Sequence, residues 1–300
     1  MKLLFSSEVA AARRTLKPMV ALETSVIAQG LPYPKNLESA QACEAIIRSV
    51  GAVPVAMAVI DGQAMAGLDL AQLERLAKAK DAMKLGSRDL CIAVARKATG
   101  GTTVSATCEL AAATGINVFA TGGIGGVHRG VADHYDVSQD LHALAKWPVA
   151  VVCAGAKSVL DLPKTMELLE TLGVPVIGVG TNELPGFYTR ETGLQLEHRV
   201  ENAEEGAEII RARRDLGQGG VLFVLPPPKA TSLKRADVET HLKAALAAAK
   251  KQKIEGKLVT PFLLAEMVKR TKGKALLANL ALLENNARFA AQLAVALGWR

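Results

Sequence analysis

Residues 118–130 read Val-Phe-Ala-Thr-Gly-Gly-Ile-Gly-Gly-Val-His-Arg-Gly, an apolar run that passes directly into a series of glycines. The run predicts a short buried strand, and residues 149–155 show the same arrangement, with Val-Ala-Val-Val-Cys followed by Ala-Gly. Strands of this kind suit a parallel sheet that helices cover on both faces. Ligands of such sheets bind beyond the carboxyl ends of the strands, so the polar residues after each strand are the first candidates for a site.

Around these strands, apolar runs alternate with segments of helical periodicity, which indicates an α/β fold. Further strands are predicted at residues 20–23, 53–60, 82–85, 174–179 and 221–225. Helices are predicted at residues 35–50, 69–79, 87–98 (capped by Ser87), 100–114, 162–172 and 204–216, with three more from about residues 236, 261 and 274.

Prolines 226–228 mark the change to a helical C-terminal portion, and no linker rich in Pro, Gly and Ser divides the chain. We therefore predict a three-layer α/β/α fold with a largely parallel central sheet and helices on both of its faces. Residues 1–300 are expected to form a single catalytic domain.

Composition narrows the class of protein. The 300 residues are 50% hydrophobic and 4% aromatic, and they carry a formal net charge of +7. Dispersed charge and scarce aromatic side chains argue against nucleic-acid binding. No apolar window is long enough for a membrane span or a signal peptide, so a cytoplasmic protein is expected. The four cysteines lie in largely apolar stretches without a Cys-x-x-Cys pair, and all are predicted to be buried free thiols.

Two strand ends carry side chains that burial would activate. Glu23 closes an apolar run, and loss of solvation there favours a carboxyl group that keeps its proton near neutrality. Lys157 lies between a buried strand and the turn towards a helix, where desolvation favours the neutral amine that imine formation needs. Taken alone, a salt-bridged strand-end acid and a lysine that extends to water are the simpler explanations.

The glycines at 122–126 and the residues around them predict a phosphate site. Glycines let backbone amides approach an anion, and Arg129 can bind phosphate or carboxylate with its planar guanidinium. Lys84 and the hydroxyls at 102–107, which follow Gly101, extend this set. The pattern matches neither G-x-G-x-x-G nor a P-loop, which excludes a dinucleotide or ATP site. A tight turn is the alternative for the glycines, and ordinary helix capping is the alternative for two of the hydroxyls.

Candidate metal ligands follow the glycines closely: His128, Asp133, His134, Asp136 and Asp140. Oxygen ligands with few imidazoles favour Mg²⁺ or Mn²⁺ over Zn²⁺. Ser138 is predicted to cap a helix with Asp140 in its first turn, which gives Asp140 a structural role. Asp136 precedes that cap and is therefore the better metal candidate.

Together these motifs resemble those of the pseudouridine-5′-phosphate glycosidase family, whose relatives include the indigoidine-synthesis A proteins. The matching stretches span nearly the whole chain, at residues 20–25, 30–34, 87–90, 101–104, 119–130, 151–158, 260–264 and 284–287. The glycine block and the Cys-Ala-Gly-Ala-Lys-Ser block at 153–158 are the specific ones.

The resemblance implies roles for individual residues. Glu23 occupies the position of the family's proton donor, Lys157 that of the imine-forming lysine, and Asp136 that of the ligand of a metal, typically Mn²⁺. Substrate contacts carry over to Lys84, Val104, Ser138, Gln139 and Asp140, and Asn286 resembles a further site element.

A homotrimer is also implied by the resemblance. Two departures from the family pattern concern specificity rather than the reaction. Gln29 stands where the family often has His, and residues 131–135 replace a commoner Ala-Glu-His-Thr-Phe.

The implied reaction is the reversible cleavage of the carbon–carbon bond of pseudouridine 5′-phosphate, which yields uracil and ribose 5-phosphate. A C-glycoside has no heteroatom leaving group, so hydrolysis by two carboxylates has nothing to protonate. An imine on the ring-opened sugar supplies the missing electron sink. A Schiff-base aldolase or lyase that acts on another sugar phosphate is the alternative enzyme, and a non-catalytic RNA-binding protein is the alternative outside enzymes.

Overall fold

The computed structural model describes residues 3–254, 256 and 259–298, without the side chains of Asp133 and His134. The strands within these residues are β1 (Leu3–Phe5), β2 (Met19–Leu22), β3 (Val53–Ile60), β4 (Gln63–Ala66), β5 (Met83–Leu85), β6 (Gly100–Thr102), β7 (Val118–Ala120), β8 (Ala150–Cys153), β9 (Val176–Val179), β10 (His198–Val200) and β11 (Val221–Val224).

The strands form a sheet in the order β1-β4-β3-β2-β7-β8-β11-β9-β10, with β5 and β6 attached beside β3. All neighbours from β3 through β2 to β10 are parallel. β3 also belongs to a smaller mixed part, because residues 53–56 pair with β2 whereas residues 57–60 pair antiparallel with β4. The predicted, largely parallel sheet is therefore confirmed.

The helices are α1 (Ser7–Arg14), α2 (Lys35–Val50), α3 (Leu70–Lys78), α4 (Ser87–Ala95), α5 (Val104–Thr114), α6 (Val131–His134), α7 (Gln139–Lys146), α8 (Leu162–Thr171), α9 (Ala203–Asp215), α10 (Arg235–Lys251), α11 (Val259–Arg270) and α12 (Lys274–Leu297), and a π-helix spans Val26–Gly30. Within the described ranges, none of them combines the length and apolar character that a membrane span requires.

Helices cover the sheet in layers, as predicted. α2, α9 and α12 pack together, and α12 contacts β2, β7 and β8 at the centre of the sheet. α5 and α7 pack against each other and against β7 and β11 respectively. The predicted helical C-terminal portion is confirmed as α10, α11 and α12, the last of which is an integral part of the core.

Local sequence explains where several elements begin and end. Gly51 ends α2 in the left-handed conformation, with φ of 102°. Asp69 caps α3 through a capping box with Gln72, in which the Gln72 amide donates to Asp69 Oδ1 at 2.8 Å. Every residue of β3 is buried, which fits a strand that has neighbours in two parts of the sheet.

Residues 100–102 form a strand, so the prediction that they begin a helix was wrong. The Thr102 amide donates to Thr24 Oγ1 at 3.0 Å, and the backbone of β6 pairs with β3 and β5. A side chain at Gly101 would lie 2.6 Å from the Thr24 carbonyl oxygen, so glycine is required by close backbone approach. The cap of α4 also lies one residue earlier than predicted, at Gly86, whose amide donates to Asp89 Oδ2 at 2.9 Å.

Cys91 corrects the prediction that all four thiols are buried. Cys43, Cys108 and Cys153 are buried, but Cys91 is exposed on α4. Its Sγ lies 3.7 Å from the Arg88 carbonyl oxygen. A short apolar stretch did not distinguish the inner face of this helix from its outer face.

Candidate active site

A cavity of about 850 Å³ lies beyond the carboxyl ends of β2, β7 and β8, in the size range of small-molecule sites. This is the edge at which α/β sheets bind ligands. The predicted site residues that line it are Glu23, Lys84, His128, Arg129, Asp136, Ser138, Gln139, Asp140 and Lys157, together with the hydroxyl-bearing Thr103 and Ser105.

Glu23 follows β2 and is 8% exposed. Two hydroxyls donate to its carboxylate: Ser25 Oγ to Oε2 at 2.5 Å, and Thr121 Oγ1 to Oε1. Thr121 follows β7, the strand that pairs with β2, so strand pairing places one of the two donors beside the carboxylate. The acid is held in a fixed orientation at the cavity wall.

Lys157 is half-buried and follows β8 through a turn at Gly155, whose φ is 88°. The Lys157 amide donates to the Ile124 carbonyl at 3.1 Å, and the Ala154 amide donates to the Gly122 carbonyl at 3.0 Å. The next helix begins only at Leu162, so Lys157 lies in the turn before it. Its amine therefore shares the cavity with Glu23 while its backbone is fixed to the glycine block.

Asp140 connects three segments of the cavity wall. Its Oδ1 accepts from the Ser105 amide at 2.9 Å, and its Oδ2 accepts from the Gly125 amide at 2.8 Å. Its own amide donates to Ser138 Oγ at 3.2 Å, which confirms Ser138 as the cap of α7. Both described carboxylate oxygens are occupied by the protein, so Asp140 acts first as a structural link between α5, α7 and the glycine block.

The glycines pack too closely for any other residue. A Cβ at Gly125 would lie 2.3 Å from Ser138 Oγ, and one at Gly126 would lie 2.5 Å from Thr165 Oγ1. A Cβ at Gly123 would lie 2.6 Å from the Phe187 ring. Gly123, Gly125 and Gly126 are therefore packed against neighbouring side chains, and the Gly125 amide is already used in the bond to Asp140.

Two predicted charged residues lie near the mouth of the cavity in ion pairs. Asp136 Oδ2 lies 3.7 Å from His128 Nδ1, and the Asp136 side chain is 39% exposed. Arg129 lies 3.5 Å from Glu239 of α10, with about a third of its side chain exposed. Among the side chains that are described, no three His, Cys, Asp or Glu residues are grouped as metal ligands. The Asp133 and His134 candidates fall on side chains outside that description.

Val104 and Asn286 lie behind the lining residues. Val104 is 1% exposed, and Asn286 is fully buried, with its Nδ2 donating to the Thr121 carbonyl at 2.8 Å. Asn279, two helical turns earlier on the same side of α12, lines the cavity instead. The sequence analysis missed Asn279, although an asparagine at this spacing within an apolar helix was the signal that could have found it.

Gln29 and Tyr135, one residue from each departure from the family pattern, line the cavity. Gln29 donates from Nε2 to the Ala82 carbonyl at 2.7 Å. Tyr135 lines the mouth and is 86% exposed, in the left-handed conformation. An effect of these two residues on specificity stays a prediction.

The cavity has two unlike sides. The inner wall comprises the strand ends and the glycine block, with Glu23, Gly125, Asp140 and Lys157. The outer wall comprises apolar residues of α10, α11 and the segment between them: Leu246, Ile254, Val259, Pro261, Leu263 and Leu264. Charge and hydrogen bonding thus belong to one side, and apolar contact to the other.

Several known proteins resemble this chain in sequence and in fold. A pseudouridine-5′-phosphate glycosidase of Myxococcus xanthus is 65% identical over 298 residues, covering 99% of this chain and 98% of the relative. The crystal structure of an indigoidine synthase A-like protein from Thermotoga maritima matches with a TM-score of 0.89 at 36% identity, covering 98% of this chain and 95% of the other. The prealnumycin C-glycosynthase AlnA, solved in complex with ribulose 5-phosphate, matches with a TM-score of 0.90 at 36% identity, covering 98% and 96%.

The family model described as indigoidine synthase A like protein matches residues 8–296, a range that contains every strand from β2 to β11 and the whole of the cavity wall. On this match and on the identity of its relatives, the chain belongs to the indigoidine synthase A like family.

Proposed function

We propose that the protein is a pseudouridine-5′-phosphate glycosidase that reversibly cleaves pseudouridine 5′-phosphate to uracil and ribose 5-phosphate. The observation that carries the proposal is that Glu23 and Lys157, an acid and an amine from two strand ends, line one cavity. The name of the Myxococcus xanthus relative, at 65% identity, supports the substrate. A C-glycosynthase of the same fold with a bound pentulose phosphate supports the class of reaction.

In this proposal, Glu23 donates a proton to the ribose ring oxygen as the C1′–O4′ bond opens, and the amine of Lys157 forms a bond to C1′. The Glu23 carboxylate then takes a proton from the new ammonium group, which restores the nitrogen lone pair. This lone pair forms the C=N bond while the electron pair of the C1′–C5 bond passes to uracil C5, and Glu23 returns its proton to C5. Water hydrolyses the protonated imine to ribose 5-phosphate and the free amine, and the proton released returns to Glu23. Ser25 and Thr121 support these steps by holding the Glu23 carboxyl group in place.

The phosphate group is proposed to bind at the inner wall. The glycine block and the side chains of Lys84, Ser138 and Gln139 line this part of the cavity, and Arg129 lies at its mouth. The two cations and the neighbouring polar side chains favour a dianion. Asp140 contributes by holding the glycine block and the start of α5 together through the Gly125 and Ser105 amides, and Val104 and Asn286 contribute by packing behind the wall.

Asp136 is proposed to hold a divalent cation, Mn²⁺ or Mg²⁺. Its half-exposed carboxylate at the cavity mouth fits an ion that keeps most of its water ligands and takes one protein carboxylate. When bound, such an ion supplies positive charge that orients the sugar phosphate. Removal of divalent ions with EDTA should abolish uracil release, and return of Mn²⁺ should restore it. In a direct binding measurement, Asp136→Ala should bind Mn²⁺ more weakly than the wild-type protein.

A homotrimer in the cytoplasm completes the proposal and rests on the family resemblance. Light scattering at several protein concentrations tests the trimer. A constant mass of one or two chains would contradict it.

Release of uracil from pseudouridine 5′-phosphate in the presence of Mn²⁺, followed by chromatography, tests the function. Ribose 5-phosphate should appear in equal amount, and the reverse reaction should consume both products. The alternative, a Schiff-base aldolase or lyase for another sugar phosphate, also uses Lys157. It would be supported if borohydride trapped other sugar phosphates on the protein while no uracil was released.

A further inference from the structure

The π-helix at Val26–Gly30 follows the segment of Glu23 in the chain and contacts β5 and β6. Gln29 lies near the end of this π-helix, and its Nε2 donates to the Ala82 carbonyl at 2.7 Å. Ala82 immediately precedes β5, in which Lys84 is the central residue. The side chain of Gln29 therefore holds the backbone two residues before Lys84, although Gln29 has no part in the proposed steps of the reaction.

The peripheral position of β5 gives this bond its importance. The three residues of β5 pair with β6, and within the described part of the chain no second strand lies beside β5. The loop at residues 79–82 leads from α3 into β5 without regular secondary structure, and its residues 80 and 81 are exposed. A short strand that follows an exposed loop shifts more easily than a central strand. A side-chain bond to Ala82 therefore restricts the position of Lys84.

The amide oxygen of Gln29 indicates that the residue serves geometry rather than stability. Oε1 is buried and has no hydrogen-bond partner among the described residues. Exchange of the amide oxygen and nitrogen would place the oxygen against the Ala82 carbonyl oxygen, so the hydrogen bond fixes the orientation of the amide. A buried oxygen without a partner costs free energy, which offsets the gain from the bond to Ala82. Gln29 lines the cavity, but its buried Oε1 is closed to a ligand there.

We propose that Gln29 is a positioning residue for Lys84 and thereby sets how strongly the active site prefers a phosphorylated substrate. The inference rests on the proposed function, in which Lys84 helps to bind the phosphate group. Gln29 acts through Ala82, which fixes the start of β5 and hence the approach of the Lys84 amine to the cavity. A charge-assisted hydrogen bond depends on distance and direction. A substrate without phosphate makes no such bond and gains nothing from Gln29.

The preference for phosphate is measured as the ratio of kcat/KM for pseudouridine 5′-phosphate to kcat/KM for pseudouridine. Gln29→Met keeps the length of the side chain but removes the donor, and it should lower this ratio by about tenfold, the value of one charge-assisted hydrogen bond. The loss should fall on pseudouridine 5′-phosphate, with pseudouridine processed as by the wild type. Gln41→Met makes the same chemical change at an exposed position of α2 and should leave the ratio unchanged.

Lys84→Ala is the reference variant, because it removes the cation itself. It should lower the ratio at least as far as Gln29→Met does. The double variant should have the same ratio as Lys84→Ala alone, since Gln29 acts only through Lys84. The urea midpoint of Gln29→Met should stay close to that of the wild type, because the cost of the unpaired Oε1 disappears together with the bond to Ala82.

The inference is overturned if Gln29→Met keeps the wild-type ratio, or if Gln41→Met lowers the ratio as much as Gln29→Met. It is also overturned if the double variant has a ratio tenfold below that of Lys84→Ala, which would show that the two residues act independently. A wild-type ratio in Lys84→Ala would overturn it as well, because Lys84 would then not bind the phosphate group.

Calorimetric titration with ribose 5-phosphate separates a failure of this inference from a failure of the proposed function. Gln29→Met and Lys84→Ala should each bind ribose 5-phosphate about tenfold more weakly than the wild type, and Gln41→Met should bind it equally well. A wild-type protein that shows this order of affinities but releases no uracil would contradict the proposed function and support the role of Gln29. Equal affinities of Gln29→Met and the wild type would overturn that role, whatever the reaction.

Discussion

The inner and outer walls of the active-site cavity are held together by different kinds of interaction. In the inner wall, Asp140 accepts two backbone hydrogen bonds, Glu23 accepts two from hydroxyls, and the glycines leave no space for a methyl group. The outer wall consists of apolar side chains from α10 and α11. Directional bonds and close backbone contacts tolerate little change, whereas apolar contact is non-directional and tolerates more. Substitutions in the inner wall should therefore have larger effects than substitutions in the outer wall.

Lys157 should show the largest effect. Lys157→Ala and Lys157→Arg are both expected to lower kcat/KM by at least about a thousandfold, since neither offers an amine nucleophile. Borohydride with ribose 5-phosphate should attach a sugar to the peptide that contains Lys157, as located by mass spectrometry. Lys78→Ala, at an exposed position paired with Glu74, is the control. An adduct on Lys84 would mean that the nucleophile had been misassigned.

Substitution of Asp140 should have the next largest effect, and it should lower stability as well as activity. Asp140→Ala removes acceptors from the Ser105 and Gly125 amides and should lower the free energy of unfolding by about 3 kcal/mol or more. Urea denaturation measures the loss. The exposed Asp215→Asn is a control that should behave like the wild type. An unchanged midpoint for Asp140→Ala would show that the link is not a stabilising one.

Gly125 tests the close packing of the inner wall. The added methyl group of Gly125→Ala would lie 2.3 Å from Ser138 Oγ, so the wall must shift, at a cost of about 1–3 kcal/mol. Activity should fall more than stability, because Gly125 and Ser138 both line the cavity where the phosphate is proposed to bind. Gly173→Ala, at a position with open space and positive φ, measures the cost of backbone strain alone. Equal losses of activity in the two variants would contradict the role of close packing.

Leu264 tests the outer wall and should have a modest effect. Leu264→Ala removes apolar contact from the cavity and should raise KM severalfold, while kcat stays near the wild-type value. Leu264→Met, which keeps the volume, should be close to normal. A loss of kcat as large as that of Gly125→Ala would remove the distinction between the walls.

Cys91 should show no functional effect at all. It is the exposed thiol among the described cysteines, whereas burial raises the pKa of Cys43 and of Cys153 to about 12. Iodoacetamide at pH 8 should therefore modify Cys91 first and leave activity intact. Early modification of Cys153, located by peptide mapping, would show that the inner wall opens more readily than its packing indicates.

The two walls also differ in how well the sequence predicted them. Glu23 and Lys157 were found because a buried strand that ends in a polar residue leaves a signal within a few positions. Ser138 was recognised as the cap of α7 for the same reason, since that cap is local. The bonds from Asp140 to the Ser105 and Gly125 amides were not predicted, because they join separate segments. In the outer wall, residues 260–264 were noted as a matching stretch, but Leu246 is indistinguishable in sequence from an ordinary core residue. Asn286 was named and Asn279 was not, because sequence similarity does not reveal which turn of α12 faces the cavity.

Short strands, and strands whose partners are distant in sequence, were the other limit on predicting the fold from sequence. β6 was taken for the start of a helix because glycine and threonine also begin helices, and its partners β3 and β5 are distant in sequence. β1, β4 and β10 were missed since each has only three or four residues. That residues 1–300 act as one catalytic domain stays a prediction.

The bonds that assemble the inner wall have a consequence for how the protein folds. The bond from Asn286 to Thr121 joins residues 165 positions apart, and the bond from Thr121 to Glu23 joins residues 98 positions apart. Contacts between such distant residues form late and slowly, because the chain between them must first lose its freedom. The geometry of the inner wall thus depends on α12 docking onto strands that are synthesised long before it. A partly synthesised or misdocked chain can hold most of the sheet and still lack an ordered acid, which makes activity a sensitive measure of completed folding.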